Sequence, residues 1–546
     1  MSSPQPPAVS LRSGRVDPPW AAATGRTLYR NGRVRTPVDP FATALLIDGD
    51  SIGWVGNEQA AAGMAADTVV DLQDTVVLPA FVDAHVHTLL TAVAADSLDL
   101  SGAPTLRAAL DLLAAEARRR PDGVLLAAGY DESRWPEGRP PTPAEVDAAT
   151  GGRAVYLSRI DLHAGVVSAA LARRTGLAVP ADGLVREQEH GAVRRALLAG
   201  LDPAHRRQAH AAVRRQAAAL GIGTLHEMAG EGIGEPEDLA ALLALAAEEP
   251  GPLIVGYWAA LGDVATSLAL GLHAAGGDLF CDGSLGSHTA ALAEPYADAP
   301  DTHGVLHHDR EELRDHIEAC VRAGLQTGFH VIGDAAVDRV LSAFEDAAGN
   351  VGRAAVVAGR HRLEHAELLS PDAIRRMASL GLVASVQPAF DAAWGGPDGM
   401  YAERLGDRAA GANPYAALAA AGVPLALSSD APVTPLDPWG TVRAAVEHRT
   451  RGAGLSARAA FSAATRGGHR AARDDEGGVL APGAPATFAV WEVAEELVVE
   501  AVDGRVSAWS TDPRAGTPGL PSLQPGATPP LCRQTVVAGR TVHELM

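Results

Sequence analysis

The sequence predicts an α/β protein built on a (β/α)8 TIM-like barrel, with a small β module made from both chain ends and a long α+β insertion after the first barrel strand. Eight short apolar runs alternate with helical patterns, which implies a parallel sheet, and their number favours a closed barrel. Further β-prone segments with turn signals stand near both termini. An open doubly wound sheet is the alternative, but no glycine-rich phosphate loop opens any of the helices.

The eight runs are the expected barrel strands. Helical stretches such as Arg310–Ala323 and Pro371–Leu380 separate several of them. The first run is apolar and then becomes polar, and its Pro79 suits only an edge or entry position of a strand. In chain order the runs are Val77–His87, Gly221–Met228, Pro252–Ala259, Asp278–Asp282, Gln326–Asp334, Arg362–Glu367, Leu382–Pro388 and Pro424–Asp430.

The chain ends are expected to pair with each other. Thr27–Val34 has a hairpin signal at Asn31-Gly32, and Ala44–Gly56 has turn residues at its centre. Ala486–Trp491 and Thr535–Val542 are β-prone as well. We therefore expect residues 26–78 and 475–546 to form one β module, whose alternative is two separate β arms. Residues 79–474 are assigned to the barrel, and the proline-rich residues 1–25 to a disordered tail.

The connection between the first and second predicted strands is too long for a simple barrel. Residues 95–220 separate the first two runs and carry strand and helix patterns of their own. An insertion after strand one emerges at the carboxyl-terminal mouth of a barrel, so this segment is expected to act as a lid or substrate wall.

Composition excludes several classes of partner. The formal net charge of -21 argues against nucleic acid or an anionic membrane surface as the main partner. No apolar run reaches the length of a membrane span. Three widely spaced cysteines, Cys281, Cys320 and Cys532, are typical of reduced thiols and a cytoplasmic protein.

Metal-type side chains occur at the carboxyl ends of the predicted strands, where barrel enzymes carry their active sites. His85 and His87 share one face of the first strand, because side chains alternate along a strand. His330, His365 and Asp430 follow at the ends of runs five, six and eight. Each alone is more often a core residue, but the ordered set predicts a divalent metal site, with zinc preferred over iron or manganese. Asp430 is the predicted proton shuttle.

Eight motifs along the chain carry a resemblance to a known family. They lie at Val77–His87, 129–142, 158–171, Asp282–Tyr296, Phe329–Asp338, Arg360–Leu368, Ser385–Pro388 and Ser429–Trp439. Together they resemble the amidohydrolase superfamily, in particular the YtcJ-like branch (amidohydrolase family 3) that includes N-substituted formamide deformylase. The resemblance implies a metal-dependent hydrolase with a barrel and a β-sandwich built from both chain ends. It also suggests a homodimer, and it assigns the five residues above to the metal site.

One position departs from the family. Related binuclear enzymes have a carboxylated lysine on strand four that bridges two metals, whereas this chain has Asp278 there and contains no lysine. Asp278 is shorter and is expected not to reach the metal, although a bridging role stays open. One metal is therefore favoured over two, with His365 hydrogen-bonding the attacked oxygen or water. The ligands of that single ion would be His85, His87, His330 and Asp430.

Weaker candidates surround this set. Asp83 shares a face with the first two histidines and is a candidate for orienting an imidazole, with a strand-end cap as an equal alternative. Substrate contact is considered for four residues that the sequence places in the insertion or near the mouth. They are Trp135, His226, Asp282 and His288. For Trp135 a structural role in holding the lid is favoured, and for His226 a core position is an equal alternative.

The predicted function is hydrolysis of a non-peptide C–N bond in a small-molecule amide, N-acyl or N-formyl compound by metal-activated water. Deamination of a heterocycle or amidine is an alternative, and a metal-free binding protein on the same fold is another. Neither nucleic acid nor membrane is expected as a partner.

Overall fold

The computed structural model describes residues 11–12, 15–20, 22–494, 497–500, 509–510 and 519–545. Most of the expected disordered tail, residues 1–10, 13, 14 and 21, lies outside the described residues. Within that segment Leu11–Arg12 pairs antiparallel with Arg15–Val16. No helix in these described ranges is long and apolar enough to cross a bilayer.

Seven parallel strands form two sheets at the centre of the molecule. In the three-stranded sheet Ile222–Gly230 lies between Phe81–Val86 and Leu253–Ala259. The four-stranded sheet has its strands in chain order: Gly328–Val331, Arg362–His365, Val383–Val386 and Leu425–Leu427. Isolated parallel bridges lie between the sheets at Val86–Ala431, Ala274–Gln326 and Phe280–His330.

Two of the predicted strands differ from the structure. Run four, Asp278–Asp282, is not a regular strand, and only Phe280 forms a bridge. Gly276 and Gly277 precede it with φ of 129° and 90°, a backbone conformation that interrupts extended structure. The first run, Val77–His87, is divided at Ala80 into Val76–Pro79, which belongs to a peripheral sheet, and Phe81–Val86.

Helices follow the parallel strands and cover them. The predicted helix at 310–323 runs over Arg310–Arg322, begins with a capping box and buries Leu313 and Ile317. Pro371–Leu380 is helical as predicted. The other helices outside residues 95–220 are Glu58–Ala61, Thr88–Asp96, Pro236–Glu248, Val264–Ala269, Asp334–Ala347, Arg353–Gly359, Pro388–Trp394, Met400–Leu405, Tyr415–Ala420, Pro438–Val446, Ala457–Ser462 and Gly468–Ala471, with π turns at Ala348–Gly352 and Ala463–Gly467 and a 3-10 turn at Gly406–Gly411.

Strands from both chain ends pair in a five-stranded sheet, which packs with a four-stranded sheet around Tyr29, Val77 and Phe488. The Asn31-Gly32 turn is not a hairpin, because the strands on either side of it join different sheets. The first sheet contains Arg33–Val34, Val76–Pro79, Phe488–Glu492, Leu531–Val537 and Arg540–Glu544, and the second contains Arg26–Arg30, Ala44–Asp48, Ser51–Gly56 and Thr68–Asp71. Val499–Glu500 pairs with Trp509–Ser510, while residues 495–496, 501–508, 511–518 and 546 lie outside the described residues.

Residues 95–220 form a mixed sheet with its own apolar cluster. Two of its helices, Glu187–Leu198 and Pro203–Ala219, return the chain to the parallel strands. The sheet consists of Leu98–Asp99, Leu125–Tyr130, Val155–Arg159, Ala164–Val167 and Leu184–Arg186, and the other helices are Leu106–Arg119, Pro143–Thr150 and Ala169–Thr175, with a 3-10 turn at Glu132–Arg134.

Replacing Phe488 with alanine should destabilise the sheets built from both chain ends. Phe488 is fully buried and its ring meets Tyr29 edge-on with centroids 5.3 Å apart. We expect Phe488→Ala to lower the free energy of unfolding by about 3–5 kcal/mol, as measured by urea titration of tryptophan fluorescence. The control Phe41→Ala removes a ring that is 55% exposed and should change stability by less than about 0.5 kcal/mol. Equal unfolding midpoints for the two variants would contradict this packing.

Candidate metal centre

Asp278 lies between two pairs of histidines. Its Oδ2 atom is 3.8 Å from His85 Nε2 and 3.6 Å from His87 Nε2. Its Oδ1 atom is 3.0 Å from His330 Nδ1 and 3.4 Å from His365 Nε2. The expectation that Asp278 is too short to reach the site is therefore wrong. The irregular backbone of run four brings the carboxylate to the histidines.

Asp430 approaches the first histidine pair from another strand end. Its Oδ1 atom is 3.4 Å from His85 Nε2 and 3.2 Å from His87 Nε2, and its Oδ2 atom is 4.0 Å from His365 Nδ1. The Asp430 amide donates a hydrogen bond to the His85 carbonyl at 2.9 Å, which links the two chain segments. The five metal-type residues predicted from the sequence thus meet at one place, and Asp278 joins them there as a sixth.

Each histidine directs one ring nitrogen to an acceptor outside the centre. His85 Nδ1 faces Glu364 Oε2 at 3.0 Å, and His87 Nδ1 faces the Met228 carbonyl at 2.7 Å. His365 Nδ1 faces Gln387 Oε1 at 2.9 Å, and His330 Nε2 faces the Gly283 carbonyl at 3.2 Å. A ring nitrogen that faces such an acceptor donates its proton, so in a neutral imidazole the other nitrogen presents a lone pair. All four lone pairs then point toward carboxylates.

This arrangement fits a divalent metal. Lone pairs and carboxylate oxygens repel each other unless a cation or proton stands between them. His85 Nε2 and Asp430 Oδ1 are buried and have no hydrogen-bond partner among the described residues. Ligand atoms bound to one ion at about 2.1 Å lie about 3.4 Å apart in tetrahedral geometry, which is close to the separations between the histidine nitrogens and the carboxylates.

Titration of the side chains reflects the same excess of buried negative charge. Burial disfavours the charged form of His365, but Asp278 and Asp430 outweigh burial and raise its pKa to about 10. Burial would raise the pKa of Asp278, yet His85, His330 and His365 hold that pKa well below its usual range. Both shifts have the same cause, which is the attraction between the buried carboxylates and positive charge on the imidazoles.

A buried ion pair lies beside His85 Nδ1, on the side of the ring that faces away from Asp278 and Asp430. The Arg362 guanidinium donates to Glu364 Oε1 at 2.7 Å and to Oε2 at 2.9 Å. Burial would raise the pKa of Glu364, but Arg362 and His85 lower it to about 2, so Glu364 is an anionic acceptor for the His85 ring. Neither Arg362 nor Glu364 was among the residues predicted from the sequence. The pattern that could have identified them is their spacing, because Arg362 and Glu364 are two residues apart on one strand, in the motif that also contains His365.

Of the two roles considered for Asp83, its contacts agree with the cap at the end of the strand. Its Oδ1 atom accepts the His85 amide at 3.3 Å and the Ser429 amide at 3.1 Å, and it contacts no imidazole nitrogen. Burial raises its pKa to about 6. Asp83 therefore holds together the two backbone segments that carry His85 and Asp430.

The four candidates for substrate contact form hydrogen bonds within the fold, and Asp282 Oδ1 also lies 3.9 Å from His330 Nε2. His226 is fully buried and its Nδ1 accepts from Arg362 Nη1 at 2.9 Å. Trp135 donates to the Ala103 carbonyl inside the insertion. Asp282 accepts the amides of Ala291, Ile332 and Gly333, and His288 pairs with Asp298 at 3.0 Å. For Trp135 and His226 these contacts agree with the structural alternative.

Two cavities border the centre, and residues of the insertion line both. A cavity of about 320 Å³ includes Asp278 and Phe280. The second includes His365 and Asp430, and the aromatic rings of Phe390 and Trp394 form part of its wall. His163, which the insertion supplies, lines both cavities, and its ring centroid lies 5.1 Å from that of His330.

Replacing Glu364 with glutamine should weaken metal binding, because the anionic acceptor of the His85 ring is lost. We expect the Glu364→Gln variant to bind Zn²⁺ about 10–100-fold more weakly in a competition titration with a chelator. The matched control Glu311→Gln changes an exposed glutamate and should leave the affinity unchanged. Circular dichroism checks that both variants fold, and an unaltered affinity in a folded Glu364→Gln protein would refute the supporting role.

Comparison with known proteins identifies the family. The family model described as "Amidohydrolase family" matches residues 68–543. The putative amidohydrolase YtcJ of Bacillus subtilis (strain 168) is 28% identical over 404 residues, which cover 69% of this chain and 74% of that protein. N-substituted formamide deformylase of Arthrobacter pascens is 25% identical over 459 residues, covering 77% and 83%.

A solved structure extends the similarity to three dimensions. The crystal structure of an uncharacterised metal-dependent hydrolase from Pyrococcus horikoshii OT3 superposes with a TM-score of 0.69 at 26% identity. The match covers 85% of this chain and 97% of that one. With the His and Asp side chains gathered at one centre, these matches show that the chain belongs to the amidohydrolase family and is a metal-dependent hydrolase.

Proposed function

We propose that this protein hydrolyses a non-peptide C–N bond in a small molecule of the amide, N-acyl or N-formyl type. The observation that carries the proposal is the position of Asp278 and Asp430 among four inward-facing histidines. A relative whose name is N-substituted formamide deformylase supports this bond type. We infer zinc as the metal, because imidazole and carboxylate ligands suit it.

The ligand geometry favours two ions over the single ion expected from the sequence. His85 and His87 would hold one ion with Asp430, and His330 and His365 would hold the other. Asp278 would bridge the two, since each of its oxygens faces one histidine pair. Bound there, divalent ions supply Lewis acidity that activates water for attack and polarises a carbonyl group.

Asp430 is proposed as the group that moves the proton. Burial would raise its pKa, but His85, His87 and His365 outweigh burial and lower it, so the carboxylate is ionised at neutral pH. It lines the cavity with the Phe390 and Trp394 rings and can take a proton from water and give it to the leaving amine. His365 is assigned to metal binding rather than to the attacked oxygen, because its Nδ1 proton is directed to Gln387.

The surrounding architecture is proposed to be a (β/α)8 barrel. The bridges at Val86–Ala431 and Phe280–His330 favour closure of the two parallel sheets, with residues 274–281 at the fourth position. On this view residues 79–474 are the barrel, and residues 26–78 with 475–546 are the β-sandwich. Residues 95–220 form a lid, supported by the contact of Asp161 with Ser284 at 2.6 Å beside the second cavity.

Metal content tests the bridging role of Asp278. Purified protein reconstituted with Zn²⁺ should hold about two ions per chain by plasma mass spectrometry. We expect Asp278→Asn to hold fewer ions, because an amide bridges two cations poorly. The control Asp407→Asn changes an exposed carboxylate and should keep the full content. One ion per chain in the unchanged protein would restore the mononuclear alternative.

Activity tests the reaction and the role of Asp430. A panel of N-formyl and N-acyl amines should release a carboxylic acid and an amine. The Asp430→Asn variant should lower kcat about 10²–10⁴-fold, since the proton shuttle is lost. The Asp407→Asn control should retain full activity. Release of ammonia from heterocyclic amines, with no turnover of the amides, would favour a deaminase instead.

A further inference from the structure

A second set of polar side chains lines the cavity that contains Asp278. They belong to the helix Glu187–Leu198 of the insertion, which faces this cavity with His190 and Arg194. None of the site residues predicted from the sequence lies on this helix. The cavity therefore joins the metal centre to a surface supplied by the insertion.

Arg194 is a buried cation that forms no close ion pair with a described carboxylate. It is 9% exposed, and its Nε and Nη2 atoms both contact the carbonyl oxygen of Gly232. Across the described part of the chain, no carboxylate forms an ion pair with it. A buried charge without a paired opposite charge is costly, so this guanidinium is suited to an anion that enters the cavity.

His190 adds a second donor to the same wall. It is 2% exposed, and its Nδ1 atom lies 2.6 Å from the Tyr156 hydroxyl. With Tyr156 as the donor, Nε2 carries the ring proton, and within the described residues that atom has no hydrogen-bond partner. Burial and the nearby Arg194 charge keep the pKa of His190 well below its usual value, so the ring is neutral.

Burial lowers the pKa of Arg194, and the charges of Asp278 and Glu187 offset only part of that shift. Glu187 is held by His163 at 3.2 Å and by His307 at 3.3 Å, and Glu231 is exposed at the rim. These carboxylates, with Asp278 nearby, disfavour a doubly charged phosphate more than a singly charged carboxylate. The Nε and Nη2 edge of Arg194 is turned to the Gly232 carbonyl, which leaves the Nη1 and Nη2 edge to match a carboxylate with two parallel hydrogen bonds.

We propose that Arg194, assisted by His190, binds a carboxylate group of the substrate while the C–N bond lies at the metal centre. The inference rests on the proposed hydrolase function and narrows its substrates to N-acyl or N-formyl compounds that carry a carboxylate, such as acylated amino acids. Arg194 would then determine specificity through substrate binding.

Matched substrates test this assignment. N-formyl and N-acetyl derivatives of alanine and phenylalanine are compared with their carboxamides in the zinc-loaded protein. We expect kcat/KM to be at least about tenfold higher for the acids than for the carboxamides, because the acids should have a lower KM. Arg194→Gln should remove this preference, and Arg194→Lys should keep part of it because the charge remains. The control Arg186→Gln removes an exposed charge next to the same helix and should change nothing.

A binding measurement separates this inference from the hydrolase proposal. Calorimetric titration with 3-phenylpropionate and 3-phenylpropanamide needs no turnover. Tighter binding of the acid, lost in a folded Arg194→Gln protein, supports the carboxylate site even if no amide of the panel is cleaved. Equal binding of the two probes, or equal kcat/KM for acids and carboxamides, overturns the carboxylate site and leaves the hydrolase function intact.

Discussion

The main physical constraint on this molecule is that two buried carboxylates repel each other. Positive charge at the same place offsets that repulsion. Asp278 and Asp430 are both buried among imidazole nitrogens that have directed their protons elsewhere. Positive charge between these groups, from a metal ion or a proton, offsets the cost of burying two carboxylates together. The ion-binding capacity of the site thus follows from the hydrogen bonds that surround it, rather than from the histidines alone.

Those surrounding hydrogen bonds also hold the parallel strands together. The Arg362 guanidinium contacts Glu364 within its own strand, the Ala84 carbonyl at 2.7 Å, and Ser385 Oγ at 3.0 Å. It also donates to the Tyr257 hydroxyl at 2.9 Å, and it lies over that ring with its carbon 4.7 Å from the centroid. One buried cation therefore links several strands beneath the metal centre and fixes the acceptor that orients His85.

The two cavities give the centre two chemically different sides. One is walled by the Phe390 and Trp394 rings, and the other by the polar helix of the insertion that carries His190 and Arg194. His163 stands between them in contact with Glu187. The metal-type residues lie in or beside the parallel strands, whereas the insertion supplies much of the polar wall, so the two sets of side chains come from different parts of the chain.

The sequence by itself determined the order of elements and the five metal-type residues from His85 to Asp430. Both follow from local rules: strand and helix periodicity, and the convergence of the carboxyl ends of parallel strands. Such rules could not predict the position of the Asp278 carboxylate. The irregular backbone after Gly276 and Gly277 determines that it lies beside the histidines. Local rules also missed the Arg362–Glu364 pair and the separation of the strands around Asn31 into two sheets. Only the tertiary structure decided these features, because each depends on partners far apart in the chain and on which buried charges lie within a few ångströms of one another.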